Sequence, residues 1–246
     1  MINVIFLPVF FFVAALIYSM VGHAGASAYL AIMALFGIST EVMKPVALVL
    51  NILVAAIASF KFYRSGHFSW SLFWPFALTS IPFSFLGGFL ILSPLFYKPI
   101  VGIILLYAAY HLFFFSALSA SLEIAQPLRR WLLLFLGSGI GFLSGLIGVG
   151  GGIFLSPLLL WRRWATVRQT AAISSLFILV NSISGLGGHL FRVNSLPSQL
   201  PLWLVSVALG GWIGAEYGSR HLSPLFLKRC LALVLLIAGL KCLFFV

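Results

Sequence analysis

Acidic residues are almost absent from this sequence. Its 246 residues include only three of them, Glu41, Glu123 and Glu216, and no aspartate, against fourteen lysines and arginines. Charged residues make up 7% of the chain and apolar residues 63%, with a mean hydropathy of +1.20. A soluble domain carries roughly 25% charged residues, so this chain lacks the polar surface that a water-facing globule needs. The composition therefore predicts an integral membrane protein.

The scarcity of acids also limits the chemistry that the chain can carry. There are few groups for metal binding or acid–base catalysis, and the five histidines are scattered over different segments. Cys230 and Cys242 fall in one predicted helix, about 18 Å apart along its axis, which is beyond disulfide reach. We therefore expect no metal, no cofactor and no enzymatic activity.

The basic residues indicate a lipid partner. The net charge of +11 is spread singly or in small groups between apolar runs, without a long basic face. Juxtamembrane lysines and arginines of this kind set topology and contact anionic head groups. Membrane lipid is thus an expected partner, and nucleic acid is not.

Ten apolar runs predict an all-α fold. Eight of them approach or meet the roughly 20 residues that a spanning helix needs. The two short runs, 26–38 and 152–161, each follow a glycine-containing break, at 22–25 and 148–152. A helix interrupted at membrane depth is buried in protein or lines a cavity. The runs lie at about 5–21, 26–38, 45–62, 71–92, 98–116, 131–147, 152–161, 170–190, 200–218 and 225–246.

The chain also repeats itself. The sequence SPLFYK at 93–98 returns as SPLFLK at 223–228, and the two glycine breaks lie 126 residues apart. We predict a first transmembrane repeat over 1–116, a linker over 117–130 and a second repeat over 131–246. Each repeat would hold three to four spanning helices and one glycine-broken, re-entrant helix.

Charge favours an inverted arrangement of the repeats. If each break turns the chain back, each repeat makes an odd number of crossings, and ten lysines and arginines face one side against four on the other. If each break is only a kink and all eight long runs cross, the split is eight against five. The positive-inside rule favours the first arrangement. It predicts a multi-pass protein of the cytoplasmic (inner) membrane with both termini outside.

The second break is the main candidate for substrate binding. A helix N-terminus carries roughly half a positive charge and several unpaired amide donors, and glycine lets an anion approach them. The run Gly150–Gly152 opens a short helix and fits this role, because consecutive glycines are costly inside a helix. Gly137, Gly141 and Gly145 instead have the four-residue spacing of close helix packing, which Gly148 either extends or ends.

Three side chains near the breaks are further candidates. A buried histidine in a membrane is expensive unless it has a partner, so His23 either contacts substrate or bonds to a carbonyl that the first break frees. Asn51 and Asn181 lack the cheap local hydrogen bonds that serine finds in a helix. The candidate substrate-binding residues are Gly22, His23, Ala24, Gly25, Ser27, Asn51, Gly148, Gly150, Gly151, Gly152, Ser174, Ser175 and Asn181.

Glu216 is the only acid inside a predicted span. It is therefore the candidate for a coupling carboxylate. Arg220 lies one turn later, and a glutamate–arginine pair at this spacing near a helix end is commonly structural. We favour the structural interpretation.

Two stretches of the second half carry a family resemblance. The sequence GFLSGLIGVGGGIFLSPL at 141–158 and AAISSL at 171–176 resemble the TauE/SafE family of sulfite-exporter-like permeases. Residues 21–30 and 214–218 are similar to it more weakly. The resemblance implies a cytoplasmic-membrane permease for sulfite, sulfonates or related sulfur-containing anions, coupled to membrane potential or protons. The family more often has a glycine run where this chain has His23, which makes His23 a candidate selectivity residue.

These observations predict a secondary transporter for small anions. Backbone amides of Gly150–Gly152 and Ala24–Ser27 would bind the anion, and the repeats would rock to give alternating access. A homo-oligomer is compatible with this prediction. The alternative is a non-transporting membrane scaffold or assembly factor, which the short loops disfavour.

Overall fold

The described part of the chain is helical. A computed structural model describes residues 6–90, 130–191 and 196–244, with scattered residues between 99 and 113. The linker predicted at 117–130 lies outside this part except for Arg130, as does the first SPLF motif. The helices are α1 (Leu7–Met20), α2 (Ala26–Leu35), α3 (Thr40–Arg64), α4 (Trp70–Phe89), α5 (Arg130–Ile147), α6 (Gly152–Trp161), α7 (Val167–Leu190), α8 (Leu200–Glu216), a π-helical turn (Tyr217–His221) and α9 (Pro224–Phe244).

Four of these helices are long and apolar enough to cross a membrane. They are α4, α5, α7 and the Val42–Arg64 part of α3, among the residues that the structure describes. Helices α1 and α6 are apolar but only 14 and 10 residues long. The short second and sixth helices follow the two breaks, as the sequence predicts, whereas the total number of spans stays a prediction.

Local sequence signals explain several helix starts. Pro8 and Pro201 stand in the first turns of α1 and α8, where a proline removes no helical hydrogen bond. A capping box opens α7, with the Thr166 side chain accepting from the Gln169 N–H and the Gln169 side chain accepting from the Thr166 N–H. These signals set where α1, α7 and α8 begin.

Glycines in the left-handed region make both breaks. The φ angles are +75° and +100° at Gly22 and Gly25, and +82°, +76° and +80° at Gly148, Gly150 and Gly151. A side chain disfavours this backbone conformation, so glycine is required. Gly148 therefore belongs to the break and does not extend the packing ridge.

The chain reverses direction at the first break. Tyr18, near the end of α1, hydrogen-bonds with Ser27 at the start of α2, and their oxygens are 2.9 Å apart. Phe10, near the start of α1, packs against Phe36 just beyond α2, with 6.0 Å between ring centroids. This order of contacts shows that α2 runs back along α1.

The second break has the same effect. Gly151 packs against Ile140 and Ser144 in the second half of α5. Beyond α6, the Trp164 ring lies 6.4 Å from the ring of Phe76, whose backbone also packs against Gly137 earlier in α5. Helix α6 therefore runs in the opposite direction to α5.

The two halves pack on each other reciprocally. Helix α1 packs on α8 and α5 packs on α4, while α3 contacts α7, and the pairs α3–α8 and α4–α7 complete the bundle. Helices α3 and α7 are antiparallel, because Asn51 bonds to Ser182 mid-helix while Phe62, late in α3, clusters with Ala171, early in α7. These two helices thus run in opposite directions.

Small residues allow the closest helix contacts. A Cβ atom at Gly137, Gly141 or Gly145 of α5 would clash with a backbone carbonyl oxygen of α4. The predicted packing role of these three glycines is therefore confirmed. Gly210 and Gly214 of α8 contact carbonyl groups of α1 in the same way, which the sequence analysis missed.

Gly141→Ala tests this packing. The new methyl group would meet the backbone carbonyl of Ser80, which cannot move aside as a flexible side chain can. We expect a loss of about 1–3 kcal/mol, the usual cost of overpacking, and a lower melting temperature in detergent. Gly139→Ala on the same helix is the matched control, since its Cβ would meet nothing within 4 Å. Equal melting temperatures for the two variants would contradict the packing role.

Candidate functional site

Asn51 joins the two breaks. Its Oδ1 accepts a hydrogen bond from the N–H of Ala26 at 3.1 Å, and its Nδ2 donates to the carbonyl of Val149 at 3.4 Å and to Ser182 Oγ at 3.2 Å. The side chain is 1% exposed. One amide group therefore caps α2, binds a carbonyl within the second break and contacts α7. Asn51 is the central side chain among those that the sequence singled out.

His23 belongs to a chain of hydrogen bonds beside Asn51. Its Nε2 lies 3.3 Å from Ser156 Oγ, which lies 2.7 Å from Ser174 Oγ. Its Nδ1 lies 3.2 Å from the carbonyl oxygen of Val21, within the first break. The contact with Val21 fits the structural interpretation of His23, while the contact with Ser156 places the ring against α6.

Polar and apolar side chains both pack against the second break. Gly150 packs against Ile178, Asn51 and Ser182, and Gly151 packs against Phe177 and Ser144. Helix α6 begins at the next residue with no side-chain cap at Gly151. The Ser144 hydroxyl is fully buried and has no hydrogen-bond partner. This helix N-terminus is thus buried among polar and apolar side chains.

The remaining candidates in the first break are bound within the first half or pack against α7. Ser27 pairs with Tyr18, and Tyr29 donates a hydrogen bond to the carbonyl of Ala24. Gly25 packs against the Tyr29 ring, and Gly22 packs against the backbone of Ala171. Asn51 therefore occupies the Ala26 amide at the N-terminus of α2, one of the amides that the sequence analysis expected to bind substrate.

The candidates on α7 differ among themselves. Ser174 joins the His23 chain, whereas Ser175 donates to the carbonyl of Ala172 in its own helix. Asn181 Nδ2 likewise bonds to the Phe177 carbonyl one turn back, while its Oδ1 is buried without a partner. The structure thus brings only one of these three side chains into contact with the breaks.

Glu216 is held in an ion-pair cluster away from the breaks. It pairs with Lys61 of α3 and with Arg220, the latter at 3.4 Å. The Lys61 ammonium also stands 3.8 Å from the centroid of the Trp212 ring. The expected pair with Arg220 is present, but the contact with Lys61 was missed. The cluster ties α3 to α8, which favours the structural interpretation of Glu216.

Sequence reasoning also missed Ser144, Ser156 and Lys44. Ser156 lies four residues after Gly152 and so faces the same side of α6, a spacing that could have identified it. The Lys44 ammonium donates to the Leu146 carbonyl at 3.0 Å, near the end of α5. No local pattern marks Ser144 or Lys44, because their neighbours come from other helices.

Comparison with known proteins identifies the family. The family model described as "Sulfite exporter TauE/SafE" matches residues 7–242. The chain belongs to the TauE/SafE family. The predicted family is thus confirmed over nearly the whole sequence.

Relatives of this TauE/SafE protein carry transporter names. It is 44% identical over 237 residues to the "Probable membrane transporter protein y4hK" of Sinorhizobium fredii, an alignment that covers 96% of each chain. It is 27% identical over 199 residues to the "Probable membrane transporter protein MJ0441" of Methanocaldococcus jannaschii, which covers 75% of this chain and 72% of the relative. No solved structure matches the chain. The TauE/SafE chain is therefore a multi-pass protein of a membrane transporter family.

Asn51→Leu tests the bridge between the breaks. The variant leaves the buried Ala26 N–H and Val149 carbonyl without their partner, and each such group costs about 1–3 kcal/mol. We expect a clear fall in melting temperature in detergent. Asn181→Leu is the matched control, because that amide bonds only within its own helix. If Asn181→Leu destabilises the protein as much as Asn51→Leu, the bridge has no special structural role.

Proposed function

We propose that this TauE/SafE protein is a secondary permease for small anions, with sulfite and sulfonates as its substrate class. The observation that carries the proposal is the buried N-terminus of α6, which has no side-chain cap. Free amides and the positive end of the helix dipole favour an anion there. Since Asn51 caps α2, we place the substrate at the second break alone.

The Ser144 hydroxyl supports this position. It is fully buried, makes no hydrogen bond and lies beside Gly151. A buried hydroxyl without a partner costs free energy that a bound ligand would recover. Ser144 would donate this hydrogen bond to an oxygen of the anion, next to the first amides of α6.

The electrostatic surroundings also suit an anion. Glu216 is the one acidic side chain that the structure describes, and it is paired with Lys61. Lys61 lies ten residues beyond Asn51, about 15 Å along α3. No described carboxylate therefore contacts the second break, where it would repel the substrate.

We further propose that residues 1–116 and 131–246 form inverted repeats in the cytoplasmic membrane, with both termini outside. The reversal at each break, the antiparallel crossing of α3 and α7 and the reciprocal packing support this arrangement. The burial of His23, Asn51 and Ser174 supports an occluded conformation. Rocking of the helix pairs about the α3–α7 crossing would open the second break to one side at a time.

Flux in proteoliposomes tests the function. Vesicles containing the purified protein would be offered sulfite, sulfate, thiosulfate and a small alkyl sulfonate in turn, under a membrane potential and under a pH gradient. We expect saturable, protein-dependent flux of at least one of these anions. Absence of flux for all four under both gradients would overturn the proposal and favour the scaffold alternative.

Ser144→Ala tests the position of the site. Its hydroxyl makes no hydrogen bond in the structure, so the fold should remain intact. We expect KM for the transported anion to rise about two- to tenfold, as for the loss of one hydrogen bond. Ser138→Ala is the matched control on α5, since that exposed hydroxyl bonds to the Phe135 carbonyl of its own helix. An unchanged KM in Ser144→Ala would place the anion elsewhere.

A further inference from the structure

Asn181 carries an unpaired polar atom on the buried face of α7. The side chain is 0% exposed, and its Oδ1 has no hydrogen-bond partner. An amide oxygen can only accept a hydrogen bond, and leaving it without a donor in an apolar interior is costly. The structure therefore keeps a buried acceptor that neither the helix packing nor the anion site proposed above uses.

The orientation of the Asn181 amide follows from its hydrogen bond. Nδ2 donates to the carbonyl oxygen of Phe177 at 2.8 Å, one turn earlier. If the amide were flipped, Oδ1 would face that carbonyl and two acceptors would meet. Because side chains on a helix lean towards its N-terminus, the amide of Asn181 lies over the turn of α7 that contains Phe177 and Ile178.

This turn of α7 packs on the second break. Gly151 packs against the Phe177 ring, while Gly150 and Gly152 pack against the Ile178 side chain. The amide that lies over these two residues thus stands opposite the start of α6, although it makes no hydrogen bond to the break. Its free oxygen belongs to the surroundings of the proposed anion site.

Ser144 approaches the same place from α5. It packs against Gly151, and one turn beyond Asn181 on α7, Gly185 packs against Gly145, the residue after Ser144. The Ser144 hydroxyl can donate and the Asn181 oxygen can accept, yet each is without a partner, so they do not bond to each other. A ligand that both accepts and donates hydrogen bonds would satisfy the two groups at once.

An oxyanion without a donor cannot satisfy Asn181. Sulfate and simple alkyl sulfonates present only acceptor oxygens, which the Asn181 oxygen would repel. An ammonium group on the substrate could donate, but a buried charge needs an opposite charge beside it. Among the described residues the one acidic side chain is Glu216, which is paired with Lys61 away from the breaks. A neutral hydroxyl group is therefore the donor that fits.

We propose that Asn181 is a specificity-determining residue of the permease, and that its preferred substrates are sulfonates that carry a hydroxyl group. This proposal rests on the anion site at the second break. The sulfonate oxygens accept hydrogen bonds from the α6 amides and from Ser144, while the substrate hydroxyl donates to Asn181 Oδ1. A sulfonate without the hydroxyl leaves Oδ1 unpaired, and the site discriminates against it for that reason.

Uptake of matched sulfonates into proteoliposomes tests the preference. Hydroxyethanesulfonate is compared with ethanesulfonate and propanesulfonate, which carry the same charge, lack the hydroxyl and are slightly smaller and slightly larger. In the parent we expect kcat/KM for hydroxyethanesulfonate to exceed both by about five- to a hundredfold, the range for one buried polar group that gains or lacks its partner. Aminoethanesulfonate, whose ammonium group would be buried without a counter-charge, should be carried less well than hydroxyethanesulfonate.

Asn181→Leu removes the acceptor. We expect the ratio of kcat/KM between hydroxyethanesulfonate and the two alkyl sulfonates to fall to one or below, with uptake of the alkyl sulfonates retained. The variant should fold, because the Phe177 carbonyl keeps the backbone N–H of residue 181 as its helical partner. Since the change also removes an unpaired buried oxygen, its melting temperature should equal or exceed that of the parent.

Ser184→Ala is the matched control on α7. Its hydroxyl donates to the Ile81 carbonyl of α4, so we expect this variant to keep the parent's preference for hydroxyethanesulfonate. A parent that carries the three sulfonates equally well, or a preference that survives in Asn181→Leu, would overturn the role of Asn181. Better uptake of aminoethanesulfonate, or uptake of other anions without any sulfonate, would overturn the substrate class while leaving anion transport established. A parent without flux of any anion would refute the permease itself.

Discussion

Backbone polar groups left unpaired in an apolar interior are the constraint on which this structure depends. Two helix breaks free N–H and carbonyl groups where no water can satisfy them. Asn51 satisfies one group of each break. Its side chain accepts a hydrogen bond from the Ala26 N–H at the start of α2 and donates one to the Val149 carbonyl of the second break. Lys44 and His189 bond to the last carbonyls of α5. The first amides of α6 have no such side-chain cap, and this difference between the two breaks is why a ligand is expected at only one of them.

The same crowding explains why glycine is so frequent in α5 and α8. Carbonyl groups of α4 and α1 approach these helices where a side chain would otherwise stand. Each of these close pairs combines the first helix of one half with a later helix of the other half. The halves are therefore interlocked, and the polar α3–α7 crossing lies between the two tight pairs. In the proposed permease, the glycine-packed pairs are the rigid units and the crossing is where they move.

The sequence correctly predicted a membrane protein, the two short helices and the importance of Asn51. The lack of charge showed a membrane protein, and the glycine runs located both breaks, because glycine tolerates backbone angles that other residues do not. Asn51 was found since an asparagine in an apolar helix needs a distant partner. The same argument also predicted a distant partner for Asn181, whose side-chain amide bonds within its own helix instead. Ser174 and Ser175 could not be separated, because adjacent residues on a helix differ only in the direction they face.

What the sequence determined by itself is local: where helices begin, where glycine must break them, and that lipid surrounds them. Those properties depend on backbone angles and on the balance of apolar and charged side chains, which neighbouring residues decide. Only the tertiary structure decided which polar groups meet. Ser144 and Lys61 gained their importance from partners or neighbours on other helices, and no spacing along the chain identifies them. The difference between a capped and an uncapped helix N-terminus is likewise tertiary, since the cap of α2 comes from a side chain 25 residues away.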